Sequence, residues 1–193
     1  MKKKTVQDTR QHIVDVARAL MSSKGYTAVG LAEIVMAAGI PKGSFYYYFK
    51  SKEEFGQALL EDYFATYLPK VDVHLRGPGS GRERLMAYFQ FWADTQGMGL
   101  ALDKCLVVKL GPEVCDLSED MRLVLRQGTE AVVSRIAQCI EQGQADGSIG
   151  TSASAPVLAS ALYQLWLGAS LLGKVGQSVS FDTARIATEQ LLV

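Results

Sequence analysis

Apolar residues recur every three or four positions along most of the chain, and strict alternation with β-branched residues is absent. That pattern predicts helices rather than strands. Ile13, Val16, Ala17 and Leu20 mark one face of a first helix. It is expected to open at Asp8 or Thr9, with Gln11 placed for a capping box, and to end at Lys24-Gly25. A short second helix over 31–38 stops at Gly39. Ile40 leads to Pro41, which suits the first turn of a third helix reaching about Phe49. Ser51 and Glu54 form a capping box for a fourth helix ending near Leu75, and Arg76 to Gly81 reads as the clearest turn in the chain.

Beyond that turn, Ser80 and Glu83 cap a fifth helix through about Thr95, and Gln96 to Gly99 is expected to break it. A short apolar stretch follows, Cys105 to Leu110. Asp116 to Glu119 is placed to cap a long helix running to about Gln142. Gln144 to Ser154 reads as a polar loop, and a last helix starts near Phe181. The expected fold class is all-α, about nine helices, with an N-terminal three-helix unit (1–53) and a larger helical C-terminal domain (54–193).

The stretch from Val157 to Val175 is apolar and about long enough to cross a bilayer. Ser160, Tyr163, Gln164, Ser170 and Lys174 dilute it. No membrane partner is expected; a helix apolar on most sides must be covered by a core or by a second subunit. Leu158, Leu162, Leu165, Trp166 and Ala169 are the candidate dimerisation residues, in a four-helix bundle built with the final helix.

Charge changes the picture at the N-terminus. The chain carries 20 basic and 20 acidic residues, a net charge of zero. Residues 1–55 nevertheless hold nine Lys/Arg against five Asp/Glu, so a head of charge +4 sits on a body of −4. A basic head suits contact with phosphate. The tight Gly39-Ile40 turn between the second and third helices makes a helix-turn-helix. On the third helix, Phe45 and Phe49 share the face expected to enter the core. Gly43, Ser44 and Tyr47 lie opposite, free to approach a groove, with Tyr46 and Tyr48 on the flanks. Lys42 and Lys52 supply charge near the starts of the third and fourth helices. Tyrosine hydroxyls can donate to phosphate, and the rings can meet thymine methyls. The competing reading is an aromatic-rich core hairpin beside a solvated charge run.

Three cysteines, Cys105, Cys115 and Cys139, make an odd set without a CxxC pair, so neither a disulfide framework nor a zinc site is expected. His12 and His74 are far apart and lack matched carboxylates. No metal, cofactor or enzymatic site is predicted. Free thiols, with no apolar run behind the basic N-terminus, point to the cytoplasm and against a signal peptide.

The run Gly25-Tyr26, Ile34, then Ala38 to Glu53 resembles the signature of TetR-family regulators over roughly 45 residues. The resemblance implies a transcriptional repressor that binds a palindromic duplex as a homodimer. It implies phosphate contacts at Tyr46 and Lys52, and places Lys42, Gly43, Ser44 and Tyr47 on the recognition helix. Tyr48 stands where the family often has His. Val29 to Ala32 replaces the polar residues that often open the second helix, so base reading is expected to rest on the third.

The segments from Lys104 to Leu110 and Glu113 to Arg122, with Leu165 to Ser170 and Lys174, resemble the branch of the family that represses N-ethylmaleimide reductase. Members respond to electrophiles and oxidants by cysteine modification. By position this implies Cys105 as sensor, Lys174 as its partner and Cys115 as an auxiliary; Cys139 reads as plain core. Neighbouring ammonium groups favour the reactive thiolate, and Lys104 and, if the stretch is helical, Lys109 are close in sequence. Against this, an isolated Cys can be a buried small hydrophobe, and Lys174 can snorkel to solvent. A reversible hydrophobic inducer, a thiol-dependent enzyme and a DNA-free interaction module are the competing functions.

Overall fold

The structure, a computed structural model, describes residues 6–97, 105–176 and 180–193. Lys2, Lys3, Lys4 and Lys104, named above for their charge, lie outside the described residues, as do Met98 and Gly99. Among the described residues there are nine helices and no strand. They are α1 (Val6–Lys24), α2 (Leu31–Ala37), α3 (Lys42–Tyr48), α4 (Lys52–Leu75), α5 (Gly81–Gly97), α6 (Leu106–Leu117), α7 (Glu119–Ala145), α8 (Ala155–Lys174) and α9 (Ser180–Leu191).

The chain divides into two compact units, cut at Ala65 within α4 and at Arg126 within α7. The first holds α1 to α3, the early part of α4, α6 and the start of α7. The second holds the end of α4, α5, most of α7, α8 and α9. The cut in α4 falls where Pro69 lacks the N–H that would bond the Ala65 carbonyl.

In the first unit, Ile13, Val14, Ala17 and Met21 of α1 are buried with Ile34, Phe45, Phe49 and Phe55. Gly39 takes φ +64 in the turn between α2 and α3, a conformation glycine adopts without strain. The box opening α4 forms: Glu54 N–H donates to Ser51 Oγ at 3.1 Å, while Lys50 N–H donates to Glu54 Oε2 at 2.9 Å. The expected box at the start of α1 does not. That helix already runs at Val6, and the Gln11 amide donates instead to Asp15 at 3.1 Å and Asp62 at 2.8 Å.

The second unit is organised around two tryptophans. Trp166 of α8 stacks on Phe89 of α5 at 4.6 Å and donates to Thr188 Oγ1 of α9 at 3.0 Å. Trp92 of α5 donates to Ser170 Oγ of α8 at 2.9 Å. Both indole N–H groups are thus satisfied in the core. At the start of α5, Ser80 and Glu83 make the expected reciprocal cap, at 2.8 and 3.3 Å. Gly81 is required there: a Cβ would come within 2.3 Å of the Gly143 Cα of α7.

Other element boundaries also differ from the sequence reading, and α5 runs through Gln96 and Gly97, the site of the expected break. α6 continues through Gly111 and Pro112 to Leu117, so Asp116 lies inside it and Ser118 caps α7, accepting from Met121 N–H at 3.3 Å. The expected dimerisation residues also move. Leu158, Leu162, Trp166 and Ala169 are at most 5% exposed and face their own core; Leu165 is half-buried. What α8 and its C-cap leave outside is a stripe spaced alternately by four and three residues: Val157, Ala161, Gln164, the half-buried Gly168, Leu171 and Val175. Val157, Leu171 and Val175 are more than half exposed.

By length and composition α8 could cross a membrane. Its buried face, carrying Trp166 and Ser170 in hydrogen bonds to α9 and α5, is that of a packed core helix.

Candidate nucleic-acid interface and sensor segment

The third helix has two unlike faces. Phe45 and Phe49 are fully buried and form an aromatic cluster with Phe55, ring centroids 4.9 to 5.4 Å apart. Tyr46 and Tyr47 are 51% and 71% exposed. Lys42 and Gly43 are exposed, while Ser44 and Tyr48 are half-buried. A Cβ added at Gly43 would meet nothing within 4 Å, so this surface is open. Phe45 and Phe49 thus enter the core as expected and Tyr46 and Tyr47 face outward, while Ser44 is less open than its place on the helix suggests. Tyr47 and Tyr48 meet edge to face at 5.0 Å, which stiffens the exposed tyrosines.

Lys52 is held more firmly than its sequence position suggests. Its ammonium donates to the Tyr26 carbonyl at 3.0 Å and lies 4.5 Å over the Tyr26 ring. The Tyr26 hydroxyl donates back to the Lys52 carbonyl at 2.8 Å. Burial lowers the Lys52 pKa from its ordinary value, against the pull of Glu53 and Glu113, and burial raises that of Tyr26. The clasp fixes the start of α4 to the turn between α1 and α2. Lysine retains further N–H donors for a phosphate.

Three other features of the head escaped the sequence reading. Arg10 lies 4.9 Å over the Phe49 ring. Met36 of α2 is 76% exposed. His12 bonds the Ala38 carbonyl at 3.2 Å, tying α1 to the end of α2. Among the described residues no cluster of His, Cys, Asp or Glu could hold a metal ion.

The same turn is gripped from the other side by α6. Glu113 Oε2 accepts from the Thr27 N–H at 2.8 Å and from the Thr27 hydroxyl at 2.6 Å. Gly25, at φ +97, leaves room for this carboxylate; a Cβ there would come within 2.5 Å of Glu113 Oε1. Burial pushes the Glu113 carboxyl up, but the two Thr27 donors and Lys109 outweigh it, so its pKa lies below the ordinary 4.5. A carboxylate of depressed pKa stabilises the fold above its unfolded pKa, and that contribution is lost as pH falls through the folded value. Glu113→Gln is expected to cost about 1 kcal/mol at about pH 7, below the range for a buried bond to a charged group because the site is partly exposed. The deficit should shrink as pH falls toward about 4. Urea denaturation of both proteins across that range measures it; a deficit that grows on acidification would contradict the assignment.

Cys105 is the residue immediately before α6, buried, with its carbonyl accepting from Lys109 N–H at 3.2 Å. Lys109 is therefore one helical turn on, as the helical reading required. Cys115 is exposed near the end of α6. Cys139 is buried in α7, donates its thiol to the Gly81 carbonyl at 3.4 Å, and has its pKa pushed by burial up to about 11. It is a core thiol in both position and chemistry. Lys174 lies exposed in the last turn of α8, where a cation suits the negative end of the helix. Cys105 and Lys174 belong to different units.

Comparison with known proteins gives this arrangement a lineage. The family model "Bacterial regulatory proteins, tetR family" matches residues 13–59, and "Tetracyclin repressor-like, C-terminal domain" matches residues 81–188. The chain is 40% identical over 179 residues to the HTH-type transcriptional repressor NemR of Escherichia coli K12, covering 92% of this chain and 90% of that one. It is 33% identical over 166 residues to the transcriptional regulator AcuR of Cereibacter sphaeroides, covering 86% and 76%. The crystal structure of reduced E. coli NemR superposes with a TM-score of 0.90 at 37% identity, covering 96% and 97%. The chain therefore belongs to the TetR family of bacterial transcription regulators and is a DNA-binding repressor of the NemR type, not an enzyme.

Proposed function

We propose that this repressor binds a palindromic operator as a homodimer and is released when an electrophile or oxidant modifies Cys105. Residues 1–53 act as the DNA-binding domain and 54–193 as the sensing and dimerisation domain. Lys42, Gly43, Ser44 and Tyr47 face the major groove, while Tyr46, Tyr48 and Lys52 serve the backbone. The partner subunit covers the apolar stripe of α8 together with exposed Ile186 of α9. Shielding such a stripe is the ordinary reason for a helical pair to dimerise.

One observation carries the sensing reading: Cys105 begins the helix whose other end holds Glu113 against Thr27 of the DNA-binding head. Modification at one end of α6 is thus one rigid helix away from the turn that α3 and α4 depend on. A helix N-terminus favours the thiolate, the reactive form. With a quinone, Sγ forms a carbon–sulfur bond and the ring takes up the thiol proton as it becomes a hydroquinone. A bulky adduct on a buried sulfur must displace its neighbours, so the modified form favours the released state. Lys174 serves as the partner of Cys105, and Cys115, exposed at the far end of α6, as an auxiliary thiol.

The test is operator binding, with an operator selected from random duplexes. Quinone or hypochlorite should lower wild-type affinity at least ten-fold, while Cys105→Ser should bind equally well with and without them. Loss of binding in both proteins would remove Cys105 from the mechanism. The alternative is induction by a reversible hydrophobic ligand. It is favoured by a groove of about 590 Å³ between α7 and α8, where Val133, Ala137, Pro156 and Tyr163 lie beside Glu130 and Glu141. Under it, the Ser variant would remain inducible.

A further inference from the structure

A second polar site lies within the C-terminal unit, apart from the sensor thiols Cys105 and Cys115. Leu75, Arg76, Arg84, Arg135, Cys139 and Gln142 line a cleft of about 340 Å³ where the end of α4, the start of α5 and the middle of α7 meet. Three guanidinium groups around so small a space repel one another unless anions answer them.

The protein answers them incompletely. A single oxygen, Asp72 Oδ1, accepts from Arg135 Nε at 3.0 Å and forms an ion pair with Arg76 Nε, also 3.0 Å away. Arg84 is held by neutral acceptors: the Ser80 carbonyl at 3.4 Å, the Leu75 carbonyl at 3.3 Å and Gln142 Oε1 at 2.9 Å. Arg135 Nη1 donates to the Ala131 carbonyl at 3.0 Å. Asp146 is close enough to feel Arg84, but its oxygens are engaged by the Gly81 and Ser148 N–H groups at the start of α5. Cys139, pushed by burial up to about 11, stays a neutral thiol. Among the described residues, both Nη atoms of Arg76, and Nη2 of Arg84 and of Arg135, have no protein acceptor.

We propose that this cleft binds the phosphate group of a small molecule. Three cations against Asp72 and the nearby Asp146 leave one positive charge in excess, to which a phosphate monoester at about −1.5 to −2 near neutral pH is drawn. The free Nη groups are the fork donors that take phosphate oxygens in pairs. Arg76 follows the last residue of α4, Arg84 lies in the first turn of α5 and Arg135 lies midway along α7, so an anion shared among them ties three helices together. A bare phosphate fills only part of the space; Leu75 and Gln142 border what remains for an organic portion.

Calorimetric titration of the full chain with inorganic phosphate and with phenyl phosphate, at constant ionic strength in chloride, tests this. Saturable binding of one ligand per chain is expected. Tighter binding of phenyl phosphate assigns the cleft to an organic phosphate, and equal binding to the free ion. Arg76→Gln and Arg135→Gln should each weaken binding at least ten-fold. Tyr46→Phe, which removes an exposed hydroxyl assigned to phosphate in the head, should leave it unchanged, which separates the cleft from phosphate contacts of the head. Arg76 is largely exposed, so its variant keeps the fold, checked by an unchanged helical circular dichroism signal. No saturable binding by the wild type, or binding that survives Arg76→Gln or fails in Tyr46→Phe, overturns the proposal.

Discussion

Phe45→Ala is expected to abolish operator binding and to cost the head about 3–5 kcal/mol, the range for truncating a buried aromatic. Phe45 is completely buried and its ring lies 5.3 and 5.4 Å from Phe49 and Phe55. It is the inner anchor of α3; without it the seven-residue helix has no core contact of comparable size and cannot hold its outer face in place. The loss should be local. Both tryptophans of the chain, Trp92 and Trp166, lie in the other unit, so their fluorescence should stay native while amide exchange in α3 accelerates. Tyr47→Ala is the matched control. At 71% exposure it should change stability by less than about 0.5 kcal/mol, yet lower operator affinity about ten-fold or more. Undiminished affinity in Tyr47→Ala would remove this face from DNA recognition.

Trp166→Ala is expected to be the most damaging single truncation in the C-terminal unit, about 3–5 kcal/mol. For a chain of this length that lowers the midpoint of thermal unfolding by roughly 10–15 °C. The indole joins three helices: it stacks on Phe89 of α5, sits in α8, and donates to Thr188 of α9. Thr188 keeps its own bond to the Ala184 carbonyl at 2.7 Å, so the cost comes from the cavity rather than from an orphaned hydroxyl. Circular dichroism melting measures it. A fall of only one or two degrees would mean that α8 and α9 are held together by something other than this contact.

The sequence was most legible where local chemistry decides. Phe45 inward and Tyr47 outward follow from helical period alone, and the capping pairs Ser51–Glu54 and Ser80–Glu83 form as their spacing requires. It was least legible where the deciding partner is distant. Glu113 meets Thr27 across 86 residues, and nothing near Glu113 distinguishes it from any exposed acid on a helix. The sequence reading ends the apolar stretch at Leu110, yet α6 passes on through Gly111 and Pro112, because a proline removes one helical hydrogen bond that packing can outweigh. Leu110 and Val114, on either side of that point, are fully buried. On α8, a run apolar all round cannot reveal which side meets its own core. Only the burial pattern separated Leu162 and Trp166 from Val157 and Leu171.

The turn at Tyr26 and Thr27 bears on how such regulators can be recombined. It is held from one side by Lys52 and from the other by Glu113, and both grips fall in one compact unit. A graft that moves residues 1–53 onto a foreign body carries Lys52 with it but strands Thr27 without its acid. Modularity in this protein therefore has a hidden seam: the reading head is separable only if α6, or an equivalent carboxylate, travels along with it.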